Sequence, residues 1–483
     1  MKKKIIDLCF LALLSLCSNF VSAQERSDVI QSREKLLVVE KSVFSKASTK
    51  ILESKVLKPI LKGGDPKTVI SSLKSWYEKQ KDYQDQLDDF ILLKQSHFIS
   101  KARSELKRLI CQLPKKKQKI LNEDLSYLAN EFKKWEEAKN IIGGPKQKDR
   151  LYSYQNYFKK LPKVFKKIIK KSPNLKPKIP PKTLPPSAAI KTKVLGQLRM
   201  AGVGVKILAD IMREKKRKEG HTPLTAKFNK LFFNWGKQSN FSVVIYGREN
   251  LPNLNLPVPD NKTVNLILPS HRAPIPDAIL MGNLKLPNYM IFANPKAFMP
   301  TKAAAQKLAS APEFLAVGKW RGKGNMRPAD KLLQGLKNRL SYNALNYPQG
   351  FTATMNEILP ITPAFSPKLL GRLIKEGFKV NVVPISYEVG SQFLRQNKNV
   401  LERDIEAKIH PSLPPDLIEL ILKLEKEGME NLFGVMLRSF WLEHIKKYGE
   451  LRLEQIELRL YRQFPHRRIG ACPKGQLVPT LSF

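Results

Sequence analysis

The sequence predicts an α/β domain preceded by an all-helical region, on three observations. β-Branched and aliphatic runs bounded by turn residues occur at SVVIY (242–246) and TVNLILP (263–269), well into the chain. From Gln24 to about Gly144 the apolar residues instead recur every three or four positions, without a strand pattern. Between these regions lies LPKVFKKIIKKSPNLKPKIPPKTLPPSAA, where lysines and then prolines interrupt regular structure.

In chain order, residues 1–23 have the make-up of an export signal: Lys2–Lys4, an apolar centre from Leu8 to Leu16, and Val21-Ser22-Ala23 as a small-residue cleavage site. The expected location is therefore the periplasm or cell envelope, with an uncleaved anchor facing the cytoplasm as the alternative. Residues 24–160 are expected to be helical, divided at Gly63-Gly64, Pro114 and Gly143-Gly144, with Trp76 and Tyr77 in the core. Residues 161–187 are expected to be a basic linker. Its Val164, Phe165, Ile168 and Ile169 form a short amphipathic pattern among lysines, and its proline run stiffens the spacer up to Pro186. Two helices should follow, one ending near Lys218 and one from Thr222 to about Trp235, where Thr222-Pro223 reads as a cap and first helical proline. The segment from Asp416 to about Tyr461 is again helical and amphipathic, and residues 466–483 form a basic tail.

The chain carries 86 lysines and arginines against 42 acids, a net charge of +44. Such a field attracts anionic partners. No zinc-finger, RNA-recognition or phosphate-loop signature is present, so a membrane phospholipid surface is the expected partner, with no specific nucleic acid. Loss of the signal would remove Cys9 and Cys17. The remaining Cys111 and Cys472 suffice for one disulfide, although spacing does not decide whether they pair. No cysteine pair has zinc-ligand spacing, and neither a metal nor a bound cofactor is expected.

The chemistry concentrates in TVNLILPSHRAPIPDAIL (263–280). A buried strand ending at Pro269 places Ser270, His271 and Arg272 on the loop beyond its carboxyl end, where open α/β sheets hold their ligands. His271 suits a general base, and Asp277, six positions on, suits the acid that orients it. Asp277 as a plain cap of a helix starting at Ala278 is the competing reading. His410 and Asp416 share the same separation, but no strand precedes them, and Glu419 follows at capping-box distance; that pair reads as a helix start.

Four blocks in order, with a strand and loop ahead of them, resemble the glycerolipid acyltransferase family, which includes lysophosphatidic acid and glycerol-3-phosphate acyltransferases. VVIYGRENLP is similar to the strand and loop ahead of the family's histidine motif and LPSHRAPIPDAIL to that motif. PEFLAVGKWRGKGN, NYPQGFTAT and VVPISY correspond to the second, third and fourth blocks. The resemblance spans roughly residues 222–390, within an acyltransferase-like domain drawn at 188–465. It implies a mixed central sheet flanked by helices. It also implies transfer of a fatty acyl group to a lipid or glycerol-phosphate hydroxyl, with acyl-CoA, acyl carrier protein thioester or phospholipid as donor. His271 and Asp277 would be catalytic, and Arg272, Arg321, Lys323, Pro348, Gln349 and Gly350 would contact substrate.

Two departures stand out. Five residues separate His271 from Asp277 where the family has four, so a bulged turn is needed to bring them together. In the third block Gln349-Gly350-Phe351-Thr352-Ala353 lacks the family's glutamate and its phosphate-gripping arginine, a role left to Arg321, Lys323 or Arg327. A catalytically inactive, lipid-binding or envelope scaffold of the same fold is the alternative. If the chain is exported, coenzyme A and carrier-protein thioesters are out of reach and a phospholipid donor is expected.

Overall fold

The computed structural model describes residues 51–138, 144–175, 224–238, 241–251, 262–271, 274–286, 289–295, 302–317, 326–338, 342–349, 361, 365–389 and 403–448. The expected signal segment, the proline-rich stretch, the helix ending near Lys218 and the basic tail lie outside these residues. Among the described residues the chain falls into two units. One comprises residues from Glu78 to 175, and the other combines 51–77 with 224–448.

In the helical unit the remainder of α1 (Pro66–Cys111) packs with α2 (Asn122–Ala138) and α3 (Gly144–Lys171) around one apolar core. Leu106, Leu109, Leu125, Leu128, Phe132 and Trp135 belong to that core, as the three-and-four spacing predicts. Inside α1, Arg108 donates to both carboxylate oxygens of Glu105 at 2.9 and 2.7 Å, so this buried pair is matched fork to fork. Cys111 is buried and disulfide-bonded.

Two expected boundaries move. α3 continues through Pro162 to Lys171, so residues 161–171 are helix rather than linker. Val164, Phe165 and Ile168 extend the stripe begun by Tyr157 and Leu161 into the core, and that burial outweighs the donor that Pro162 removes. Residues 51–77, assigned from sequence to the helical region, belong to the α/β unit. There Trp76 and Tyr77 are buried, and the Tyr77 hydroxyl donates to the Glu430 carbonyl at 2.7 Å.

The α/β unit is built on seven strands: β1 (Phe241–Tyr246), β2 (Thr263–Pro269), β3 (Met290–Ala293), β4 (Phe314–Ala316), β5 (Asn343–Leu345), β6 (Lys379–Val389) and β7 (Arg403–Ile409). Their order is β1-β7-β6-β2-β5-β3-β4. β6, β2, β5, β3 and β4 run parallel, whereas β7 pairs β6 antiparallel and carries β1 parallel to itself. The sheet is mixed: its parallel part runs from β6 to the β4 edge, and the β1–β7 pair completes the other side in the opposite direction.

Because side chains alternate along a strand, Ile267, Val383, Ile385 and Tyr387 lie on one face with Ile405, Ala407 and Ile409. They meet α4 (Leu224–Gln238), α5 (Pro274–Leu284) and α6 (Lys302–Ala309). Phe232 is part of this core at 0% exposure, with Leu231 packed against it. The other face carries α7 (Pro328–Lys337), α8 (Pro415–Lys426) and α9 (Leu432–Tyr448), with Phe440 and Trp441 buried.

Register of the central strands is fixed by polar side chains as well as by the apolar pattern. Asn265 on β2 donates to Asn343 on β5 at 3.0 Å and accepts from Asn381 on β6 at 2.9 Å. Each of these pairs sits directly opposite in the ladder. Gly282 on α5 brings α4 close: a Cβ there would lie 2.4 Å from the Phe233 amide nitrogen. That contact sets α5 closely against α4.

Candidate active site

β2 ends at Pro269, and the chain stays tied to β6 for one more residue: the Ser270 amide donates to the Ile385 carbonyl at 2.8 Å, and the Tyr387 amide donates to Ser270 Oγ at 3.3 Å. His271 thus emerges from a held strand end, as the sequence pattern predicts. The chain after β5 runs alongside. The Asn346 amide donates to the Ile267 carbonyl at 3.0 Å, and Pro348 and Gln349 are buried beyond it. Gln349 Oε1 accepts the His271 backbone N–H at 2.5 Å. The third-block glutamine therefore positions the histidine's backbone.

α5 begins at Pro274, earlier than the expected start at Ala278, and Asp277 falls in its first turn. His271 Nδ1 lies 2.7 Å from Asp277 Oδ2, so the five intervening residues do bring the pair together. The other carboxylate oxygen, Oδ1, accepts the hydroxyl of Tyr387. Asp277 is buried, while the imidazole keeps 21% exposure. With the Nδ1 proton directed at Asp277, the Nε2 lone pair is the ring's free basic position.

Tyr347 closes one side. Its ring centroid lies 4.8 Å from that of His271 at 37°, and its hydroxyl donates to the Asp277 carbonyl at 3.3 Å. Burial of that hydroxyl, then the Asp277 charge, then Tyr289, holds the phenol well above its usual pKa, so it remains a neutral donor. Tyr289 in turn donates to Asn229 on α4 at 3.0 Å, and Asn229 donates to the Leu286 carbonyl at 2.6 Å. A polar chain thus anchors α4 beneath the site.

Of the sequence-predicted site residues, the structure gathers His271, Asp277, Pro348 and Gln349 at the carboxyl ends of β2, β5 and β6. Arg272, Arg321, Lys323 and Gly350 lie outside the described residues. Tyr387 and Tyr347 were not picked out by sequence. Strand alternation from Ile385 places Tyr387 on the face of the core, and that was the available signal. Tyr347 directly precedes the proline of the third block and had no comparable one.

Contrary to the sequence reading, the second histidine–aspartate pair also follows a strand, β7, which ends at Ile409, yet it behaves differently. His410 is buried between Ser386, whose Oγ lies 2.7 Å from Nε2, and the Phe440 ring at 4.9 Å. Asp416 lies in the first turn of α8, but the residue ahead of that helix is Pro414, which makes no side-chain cap bond, so the expected capping box is not formed.

No family model and no curated protein matches this chain. Among the described residues no group of three or more His, Cys, Asp and Glu side chains is placed to hold a metal ion. Among them, too, no helix is long and apolar enough to cross a membrane. The chemistry open to the site is that of a general base. One oriented imidazole with a buried carboxylate behind it can take a proton from a hydroxyl and return it to a leaving group.

Proposed function

We propose that the protein is an O-acyltransferase, moving a fatty acyl group from a thioester or phospholipid donor to a hydroxyl of a lipid or glycerol-phosphate acceptor. One observation carries the reading: His271 Nδ1 sits 2.7 Å from a carboxylate that Tyr387 also holds, while the histidine side chain keeps 21% exposure. In this reaction His271 Nε2 takes the acceptor's hydroxyl proton as its oxygen attacks the acyl carbonyl carbon. The tetrahedral intermediate then collapses, and the imidazolium returns the proton to the departing thiolate or lysolipid oxygen. Asp277 stabilises the imidazolium between the two steps. No serine or cysteine is needed as nucleophile.

The order of the four segments, similar to that of glycerolipid acyltransferases, supports the choice of acyl transfer over other base-catalysed reactions. The disulfide at Cys111 supports an oxidising compartment. There a phospholipid is the donor that chemistry leaves available.

His271→Ala is expected to reduce transfer from labelled phospholipid or acyl thioester by about 100- to 10,000-fold, with unchanged circular dichroism and melting. Unaltered product formation by that variant would refute the reading. A scaffold of the same fold is favoured by Thr352 standing where an arginine is expected. It requires that the wild type bind lipid without turnover and that His271→Ala bind it equally well.

A further inference from the structure

We propose that the lysine-rich end of the helical unit, formed by Lys115–Lys119 and the last turns of α3, is a docking face for an anionic phospholipid bilayer. Lys117 Nζ donates to the Lys171 carbonyl at 2.5 Å. Gln118 donates to the Ile110 and Leu113 carbonyls at 3.0 and 2.7 Å, so the short helix Lys115–Lys119 is held to the end of α1 by Gln118 and to the end of α3 by Lys117. Two lysine runs distant in sequence thereby become one surface.

On α3 the buried stripe is Leu161, Val164, Phe165 and Ile168. Lys163, Lys166 and Lys170 occupy the opposite side and are exposed, as are Lys115, Lys116, Lys119 and Lys171. Successive exposed α3 lysines are three or four residues apart, about 5–6 Å at 1.5 Å per residue and within the roughly 8 Å screening length at physiological salt, so neighbours act on a charged plane together.

The nearby acid is already engaged. Asp124 is held by Lys160 at 2.6 Å and Lys167 at 2.5 Å; desolvation pushes its carboxyl up, but the two lysines outweigh it and leave the group below the usual range. Segments 115–121 and 161–175 contain no acidic residue. Glu123, exposed at the start of α2, is the remaining negative charge beside them.

A bilayer fits this face better than a nucleic acid for two reasons. The single aromatic residue of the two segments, Phe165, is buried and offers no base a stacking platform. Ile120, 57% exposed among the lysines, suits a headgroup layer that accepts charge and apolar surface side by side. The apolar stripe of α3 is committed to the core, so attachment is electrostatic and superficial, with no helix inserted.

The test is co-sedimentation of the full chain with 100 nm vesicles of phosphatidylcholine, alone or with about one third phosphatidylglycerol, at physiological salt. The wild type should bind the anionic vesicles and release them as salt rises. The triple variant Lys116→Gln, Lys166→Gln, Lys170→Gln should bind roughly 100-fold more weakly, about fivefold per lysine. The matched triple Lys58→Gln, Lys62→Gln, Lys67→Gln, which makes the same charge change on exposed residues of the other unit, should bind as the wild type does. Equal loss in both triples would replace a docking face with the diffuse attraction of a polycation. Wild-type affinity in the first triple would overturn the assignment outright. Binding of a short DNA duplex in place of vesicles, abolished by the same triple, would assign the face to nucleic acid and also overturn it.

Discussion

Replacing Asp277 by asparagine tests the site with almost no change of shape. The carboxylate accepts two hydrogen bonds, from His271 Nδ1 at 2.7 Å and from the Tyr387 hydroxyl. An asparagine oxygen can still accept from Tyr387, but its amide then faces the imidazole as a donor. His271 Nδ1 must become the acceptor, and the ring proton moves to Nε2, the position needed as a base. Two losses combine. The charge-assisted bond to the imidazolium is worth about 1.5–3 kcal/mol, or roughly 10- to 150-fold in rate. The inverted tautomer adds a further factor, for a total of about 1,000- to 10,000-fold. The assay is transfer of labelled acyl chain from phospholipid or thioester under single-turnover conditions, alongside thermal melting. A variant within tenfold of wild type would refute the argument that Asp277 orients and charges the base, even if His271 proved essential.

Tyr387→Phe removes one donor from the buried carboxylate and keeps the ring. Transfer is expected to fall by about 3- to 30-fold in kcat with little change in KM, read from steady-state kinetics. Asn265→Ala breaks both side-chain bonds of the asparagine ladder and leaves Asn343 and Asn381 without it; a loss of about 1–3 kcal/mol in urea unfolding is expected. Lys331 donates to the carbonyls of Ala309, Ala311 and Phe314, and burial holds its pKa at about 8, against 10.5 for a free lysine. Between those two values the unfolded chain keeps a proton that the folded one releases, so this residue makes stability rise with pH across that window. Partial exposure and the donor lost on deprotonation limit the gain to about 1–2 kcal/mol. Lys331→Met should lack the rise when urea midpoints at pH 7.5 and 9.5 are compared.

The strand at Thr263–Pro269, the loop histidine, the core roles of Trp76, Phe440 and Trp441 and the helix breaks near Gly63 and Pro114 are legible because each rests on a local pattern. Periodicity and turn residues do not need a partner to be recognised. What was not legible depends on partners far along the chain. Residues 51–77 look like any other amphipathic helix, and only the Glu430 carbonyl waiting for Tyr77 shows which unit they join. The stretch at 161–171 was read as surface-seeking because its lysines are conspicuous. Its apolar residues, from Leu161 on, continue a stripe whose earlier member, Tyr157, lies just outside the window in which the lysines dominate. The asparagine ladder was invisible because asparagine in a strand carries no period, and only register reveals that three of them coincide.

The His271–Asp277 spacing shows how two readings of one residue can both hold. An aspartate in the first turn of a helix is favoured by the exposed amide ends there, whatever else it does. Pro274 starts α5 without needing a backbone partner, and Gly282 lets α4 press that helix toward the sheet. Asp277 is therefore carried by the helix start to the end of β2, where the hydroxyl of Tyr387 and the ring of His271 meet its two oxygens. The residue added between histidine and aspartate is absorbed by the position of the helix start, so it lengthens the loop without separating the pair. On that account, deleting Ala273 should be absorbed in the same way, with Asp277 still against Tyr387 and transfer within about tenfold of the wild type. A deletion variant that lost transfer while melting as the wild type does would show that the loop length, and not the helix start, sets the pair's distance.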